Sequence, residues 1–260
     1  MSQFAMETHR FAVDSRTLFY QVAGEGEPVV LVHGLSGSGR WWSKNVRCLA
    51  RRFRVYVVDL PGFGSSRGRG LAWVRGGQFV LHEAEHVLLH WLDSQNLERF
   101  HLIGHSMGGY ISAGLAARHP ERVDRLVLVD AAAVPIRVPL ARSAFNLAHA
   151  VRYLSADFLP VLVTDSIRAG PLTLFSAIRE ILSSDMTEAL AKIQSDLLIV
   201  WGEYDMLLPL SMGYELRERL PAAHFAVIEG AGHNPMWDRP DVFNALVGRF
   251  LQGGKEADCE

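Results

Sequence analysis

Six short apolar runs constrain the fold of this 260-residue chain more than any other feature. In order they read PVVLVHG, RVYVVDLPG, FHLIGHS, RLVLVDA, DLLIVWG and FAVIEG. Continuous apolar runs of this length suit strands buried on both faces, the environment of a parallel sheet. Helical stretches at 41–51, 79–95, 107–118, 211–219 and 240–252 alternate with them. Such alternation implies right-handed βαβ units and an α/β fold with a mostly parallel, doubly wound sheet. Ahead of the first run, apolar and polar residues alternate around Asp14-Ser15, which reads as a β-hairpin.

One segment interrupts the pattern. Residues 134–192 show no buried-strand signal, only helical patterning punctuated by Pro135, Pro139, Pro160 and Pro171. This divides the chain into a core of residues 1–133 and 193–260 and an all-helical insertion at 134–192. In open α/β sheets ligands bind beyond the carboxyl ends of the strands, so the insertion is expected to cap that end.

Strand ends are therefore where chemistry is to be sought. The residues just past the runs are His33-Gly34, Asp59, Ser106, Asp130, Asp205 and His233. A serine hydroxyl is a weak nucleophile until a base takes its proton and a carboxylate orients that base, and all three types occur here. Gly104-His105-Ser106-Met107-Gly108 matches G-x-S-x-G, a sharp strand-to-helix turn that lifts the serine clear of the sheet. The Met107 amide, opening the next helix, and the Leu35 amide after VVLVHG are the expected donors to an oxyanion.

These stretches carry a resemblance. HGLSGSG, DLPGFGSS, GHSMGG, GEYDMLLP and GAGHNPMWDRP together make the chain similar to the α/β-hydrolases over nearly its whole length. The resemblance implies Ser106 as nucleophile, Asp205 as acid and His233 as base, in the family's order along the chain. Asp130 is the alternative acid; Glu203 is a weaker one. His33 and Asp59 are expected to hold loops, and the His105 side chain is expected to point away from the pocket. Serine at the elbow disfavours the aspartyl-ester routes of haloalkane dehalogenases and epoxide hydrolases. It points to a small, largely apolar carboxylic ester as substrate, with neither cofactor nor metal. Carbon–carbon bond hydrolases, perhydrolases and slow-turnover receptors of the same fold share these motifs and stay open as alternatives. Trp41, Trp42, Phe145 and Trp237 are the expected pocket residues.

Two other motifs are set aside. His82 to His86 reads HEAEH, a zinc-protease pattern, but helical spacing places His82, Glu83, His86 and His90 opposite the apolar face of 79–95. GLSGSG lacks the G-x-G-x-x-G spacing of a dinucleotide site. The net charge of −2, with no basic block longer than Arg51-Arg52, predicts neither a nucleic-acid nor a membrane partner. No apolar run approaches the roughly 20 residues of a membrane helix. The first ten residues do not read as a signal peptide. Cys48 and Cys259 are too far apart to suggest a disulfide framework, and a cytoplasmic location is expected.

Overall fold

A computed structural model describes residues 6–14, 16–67, 79–136 and 151–254. Its sheet has eight strands: β1 (Glu7–Val13), β2 (Arg16–Ala23), β3 (Glu27–Val32), β4 (Phe53–Asp59), β5 (Phe100–His105), β6 (Val123–Val129), β7 (Asp196–Gly202) and β8 (His224–Ile228), in the order β1-β2-β4-β3-β5-β6-β7-β8. The first two strands form the expected hairpin, turning at Asp14 with φ of 52°. From β4 through β8 every pairing is parallel. All six residues of β5 are buried, as its unbroken apolar run requires.

Helices cover both faces. On one, α2 (Leu81–Ser94), α3 (Met107–Arg118) and α7 (Leu210–Arg219) press Trp91, Leu115 and Leu216 onto the sheet. On the other, α1 (Val46–Leu49), α8 (Pro235–Asp238) and α9 (Pro240–Leu251) contribute Val46, Trp237 and Phe243. The helix expected over 41–51 is shorter: a 3₁₀ turn at Gly39–Trp42, then α1. Asn45 separates the two, its side-chain amide drawn to Met236 O and Asn244 Oδ1.

The insertion between β6 and β7 is helical where it is described, with α4 (Leu159–Ala169), α5 (Pro171–Ser183) and α6 (Thr187–Leu190). Pro160 and Pro171 sit in the first turns of α4 and α5, where a missing N–H costs nothing, so they start helices rather than break them. Gly170, at φ of 79°, lets α5 leave α4 at 95°. None of the described helices is by itself long and apolar enough to cross a membrane. The expectation for the two cysteines involves Cys259, which lies outside the described residues.

Where α3 crosses β3 the backbones nearly touch. A Cβ on Gly108 would stand 2.5 Å from the carbonyl oxygens of Val32 and His33. Alanine is the better helix former by about 1 kcal/mol, but overpacking against two fixed carbonyls outweighs that gain. Gly108→Ala should lose at least about 2 kcal/mol in urea unfolding; wild-type stability would mean that this crossing can loosen.

Candidate active site

Ser106 occupies the junction of β5 and α3 with φ of 52° and ψ of −115°, a conformation that L-residues rarely adopt. Three backbone hydrogen bonds hold it there: Ser106 N to Val129 O (2.9 Å), Tyr110 N to Ser106 O (3.1 Å) and Ala132 N to Ser106 O (3.2 Å). Gly104 and Gly109 make room for the turn. A Cβ on Gly104 would collide with Gly108 O and Ser112 Oγ, and one on Gly109 would lie 2.6 Å from Ala131 Cβ. The serine hydroxyl does not cap α3. It lies instead 3.1 Å from His233 Nε2.

His233, on the loop between β8 and α8, continues the chain, with Nδ1 2.7 Å from Asp205 Oδ2. The carboxylate only accepts, so Nδ1–H donates to it and Nε2 is left to accept from the serine. Asp205 is buried beyond β7, and its Oδ1 accepts from Leu207 N (2.8 Å) and Leu208 N (2.9 Å), which leaves Oδ2 for the imidazole. Ser106, His233 and Asp205 are thus brought together from the ends of β5, β8 and β7.

Asp130, the alternative acid, stands behind this chain. It is fully buried past β6 at φ of 41°, and its Oδ1 accepts from Gly202 N at 2.9 Å. Burial, and then the nearby charge of Asp205, push its carboxyl well above the usual carboxylate range. Its carboxyl is biased toward the protonated form, and among the described residues no direct hydrogen bond joins it to His233. Asp130, Asp205 and His233 offer ligand atoms within 4.8 Å of one another, the one such group among the described residues close enough to share a metal ion. The mutual hydrogen bond of His233 and Asp205 already uses one atom from each.

The loop after β3 closes the other side. A Cβ on Gly34 would come within 3.0 Å of Ser106 Cβ, so the backbone passes directly over the serine. His33 Nδ1–H donates to Gly34 O (2.8 Å) while Nε2 accepts from Leu60 N (3.0 Å). Burial lowers the pKa of His33 and suits the neutral ring these bonds require. Asp59 accepts from Gly39 N and Ser65 N, each at 2.6 Å. His105 turns away from the cavity, and its Nε2–H donates to His233 O at 2.7 Å. Among the described residues, neither the Leu35 nor the Met107 amide donates a hydrogen bond, so both are free for an incoming oxygen.

A cavity of about 600 Å³ opens onto Ser106 and His233 between the sheet and the insertion. Trp41 lines it; two other expected residues do not. Trp42 is fully buried on the far side of the 3₁₀ turn against Phe243. Trp237 is packed on Phe158, with Lys44 Nζ 4.5 Å from its ring and its Nε1–H donating to Asp157. Phe145 lies outside the described residues. Met206, Asn234 and the stacked pair Tyr153 and Tyr204, none of which the sequence motifs mark, also line the cavity. Equally unmarked is Asp165 of α4, fully buried, which accepts from Ser38 Oγ (2.7 Å), Trp41 Nε1 (3.2 Å) and Arg40. A fully buried acid needs partners for its charge, and this one ties the insertion to the loop beside Ser106.

A doubly wound sheet whose strand ends supply a hydrogen-bonded serine, histidine and aspartate defines a class of hydrolytic enzymes. A profile of the alpha/beta hydrolase family matches residues 29–246, and the chain belongs to that family and is an enzyme of the hydrolase class. It is 30% identical to a Caulobacter sp. (strain K31) protein named "Putative carbamate hydrolase RutD", with 91% of this chain and 96% of that one covered. It is 29% identical to the pimeloyl-[acyl-carrier protein] methyl ester esterase of Aeromonas salmonicida (strain A449), covering 88% and 96% of the two chains. Among solved structures, a membrane phospholipase A described as a bacterial virulence factor superposes with a TM-score of 0.79 at 27% identity, over 96% of this chain and 86% of that one.

Asparagine keeps the acceptor that Gly202 N uses on Asp130, removes the ionisable oxygen and tolerates positive φ. Above the ordinary carboxylate range the unfolded chain ionises Asp130 while the fold keeps it protonated, which costs stability as pH rises. Asp130→Asn should therefore raise Tm by about 2–4 °C near pH 7.5, a gain that shrinks toward pH 4, with turnover within about threefold of wild type. Asp205→Asn should lower turnover by about 10³-fold or more. The opposite ranking of the two activities would exchange their roles.

Proposed function

We propose that the chain is a serine hydrolase that cleaves small, largely apolar carboxylic esters through an acyl-enzyme intermediate. The observation that carries this reading is the continuous hydrogen-bonded path from Ser106 Oγ through His233 to Asp205. As Ser106 attacks the ester carbonyl, His233 Nε2 takes its proton, and Asp205 stabilises the resulting imidazolium. The carbonyl oxygen becomes an oxyanion, held by the Leu35 and Met107 amides. His233 returns the proton to the departing alcohol. Water then approaches the acyl carbon, gives a proton to His233, and releases the acid and the free serine.

The cavity supports an apolar substrate. Its volume falls within the roughly 300–1,000 Å³ of small-molecule sites, and Leu154, Leu162, Leu174, Ile181 and Leu208 supply much of its wall. In this reading the insertion acts as the cap, with Asp165 holding Trp41 in place along the pocket. The methyl ester esterase among the similar proteins has a name in keeping with it.

Hydrolysis of p-nitrophenyl esters of graded acyl length, wild type beside Ser106→Ala, tests the assignment. Wild type should turn these esters over with an optimum at short to medium chains, and the variant should fall by about 10³- to 10⁶-fold while still folded. A folded Ser106→Ala protein with undiminished turnover would falsify the nucleophile assignment.

A further inference from the structure

The histidines of α2 lie outside the reaction, yet they are arranged for another purpose. His82, His86 and His90 recur every fourth residue, so they stand one above another along the helix, and all three are exposed. The opposite face of the helix is fixed in the core by Val87, Leu88 and Trp91, which sets the spacing of the histidine backbones. Each acid near them is already paired with an arginine from elsewhere: Glu83 with Arg16, Glu85 with Arg118, and Asp93 with Arg122. Among the described residues, no acid pairs with any of the three histidines.

His86 Nε2 and His90 Nε2 share a hydrogen bond of 3.0 Å, with their rings inclined at 74°, so a bound ion would take the place of the shared proton. Imidazole nitrogens sit about 2.0–2.1 Å from a bound divalent metal, so two nitrogens at this separation subtend about 94° at the ion. That is the angle between adjacent positions of a square-planar or tetragonal ion. A tetrahedral ion requires the nitrogens about 3.3–3.4 Å apart. Tetragonal nitrogen coordination is the preference of Cu(II) and Ni(II), and Cu(II) heads the affinity order for such ligands. We propose that His86 and His90 form a surface chelate for a tetragonal divalent ion, Cu(II) first and Ni(II) second, with water completing the coordination. His82, one turn earlier, is not part of it. The ion would clip one turn of α2, at a site independent of Ser106.

Titration of untagged full-length protein with CuCl₂ and with NiCl₂ by calorimetry tests the proposal. Wild type should bind one ion of either metal per chain at this site, reversed by EDTA. His86→Ala and His90→Ala should each weaken binding at least tenfold, whereas His82→Ala should stay within twofold of wild type. Ester turnover should be unchanged in all three variants. The Cu(II) form should give a tetragonal electron paramagnetic resonance spectrum with nitrogen splitting that disappears in the double variant. Equal affinity in the His86→Ala/His90→Ala protein would place binding elsewhere and overturn the site. Zn(II) binding as tight as Cu(II) would overturn the tetragonal assignment, and a tenfold loss in His82→Ala would overturn the two-histidine one.

Discussion

The structure depends on how closely α3 approaches the sheet at its start. Gly104 and Gly108 face each other across the turn with no space for a methyl group, and Gly108 lies against the carbonyls of β3. Only at this separation can the chain reverse from strand to helix within one residue. That residue, Ser106, takes a strained backbone as the consequence. Strain of this kind costs of order 1–3 kcal/mol and persists only where the surroundings over-determine it. Here β6 and the segment after it do so, through Val129 and Ala132. The same closeness brings the loop after β3 over the serine, so one steric condition sets both the hydroxyl and the loop above it.

Polar groups crowd the carboxyl edge of the sheet, and burial sorts them into distinct states. Burial and the charge of Asp205 push Asp130 toward its protonated form, which works against a second buried negative charge next to the first. His33 and His105 are driven toward the neutral form and serve as directional hydrogen-bond bridges, one to the loop at Leu60 and the other to the backbone of His233. His233 is the less enclosed ring, facing both the cavity and the serine. Three imidazoles and two carboxyls thus share a small volume without sharing a role.

Sequence alone made the sheet legible, because a strand buried on both faces leaves an unbroken apolar run that solvent-facing elements do not imitate. The residues on the path from Ser106 to Asp205 were legible for a related reason: each follows directly on a strand or its short loop, so their meeting at one edge is a consequence of parallel topology. The pocket was not. Trp41 and Trp42 are neighbours in the chain, yet the 3₁₀ turn sends one toward the cavity and the other into the core, a difference of about 120° that composition does not encode. Trp237 reads as an aromatic near the histidine, but a four-residue helix turns it toward Lys44 and Asp157. Nothing in the sequence around Asp165 marks it out, and only tertiary contact with Ser38, Arg40 and Trp41 reveals its burial.

The insertion enters the chain between β6 and β7, which pair with each other directly, Val129 with Val200. No hydrogen bond of the sheet ladder involves its described residues. Lengthening a flexible excursion anchored in this way costs only about 0.6 kcal/mol per doubling in closure entropy. The roof of the cavity can therefore be rebuilt, residue by residue or wholesale, while the hydroxyl, the imidazole and the carboxylate stay in register beneath it. The hydroxyl, imidazole and carboxylate all come from the core, the insertion adds Leu162, Leu174 and Ile181 to a wall that Trp41 and Leu208 also build, and the contacts of Asp165 mark where the two are stitched together.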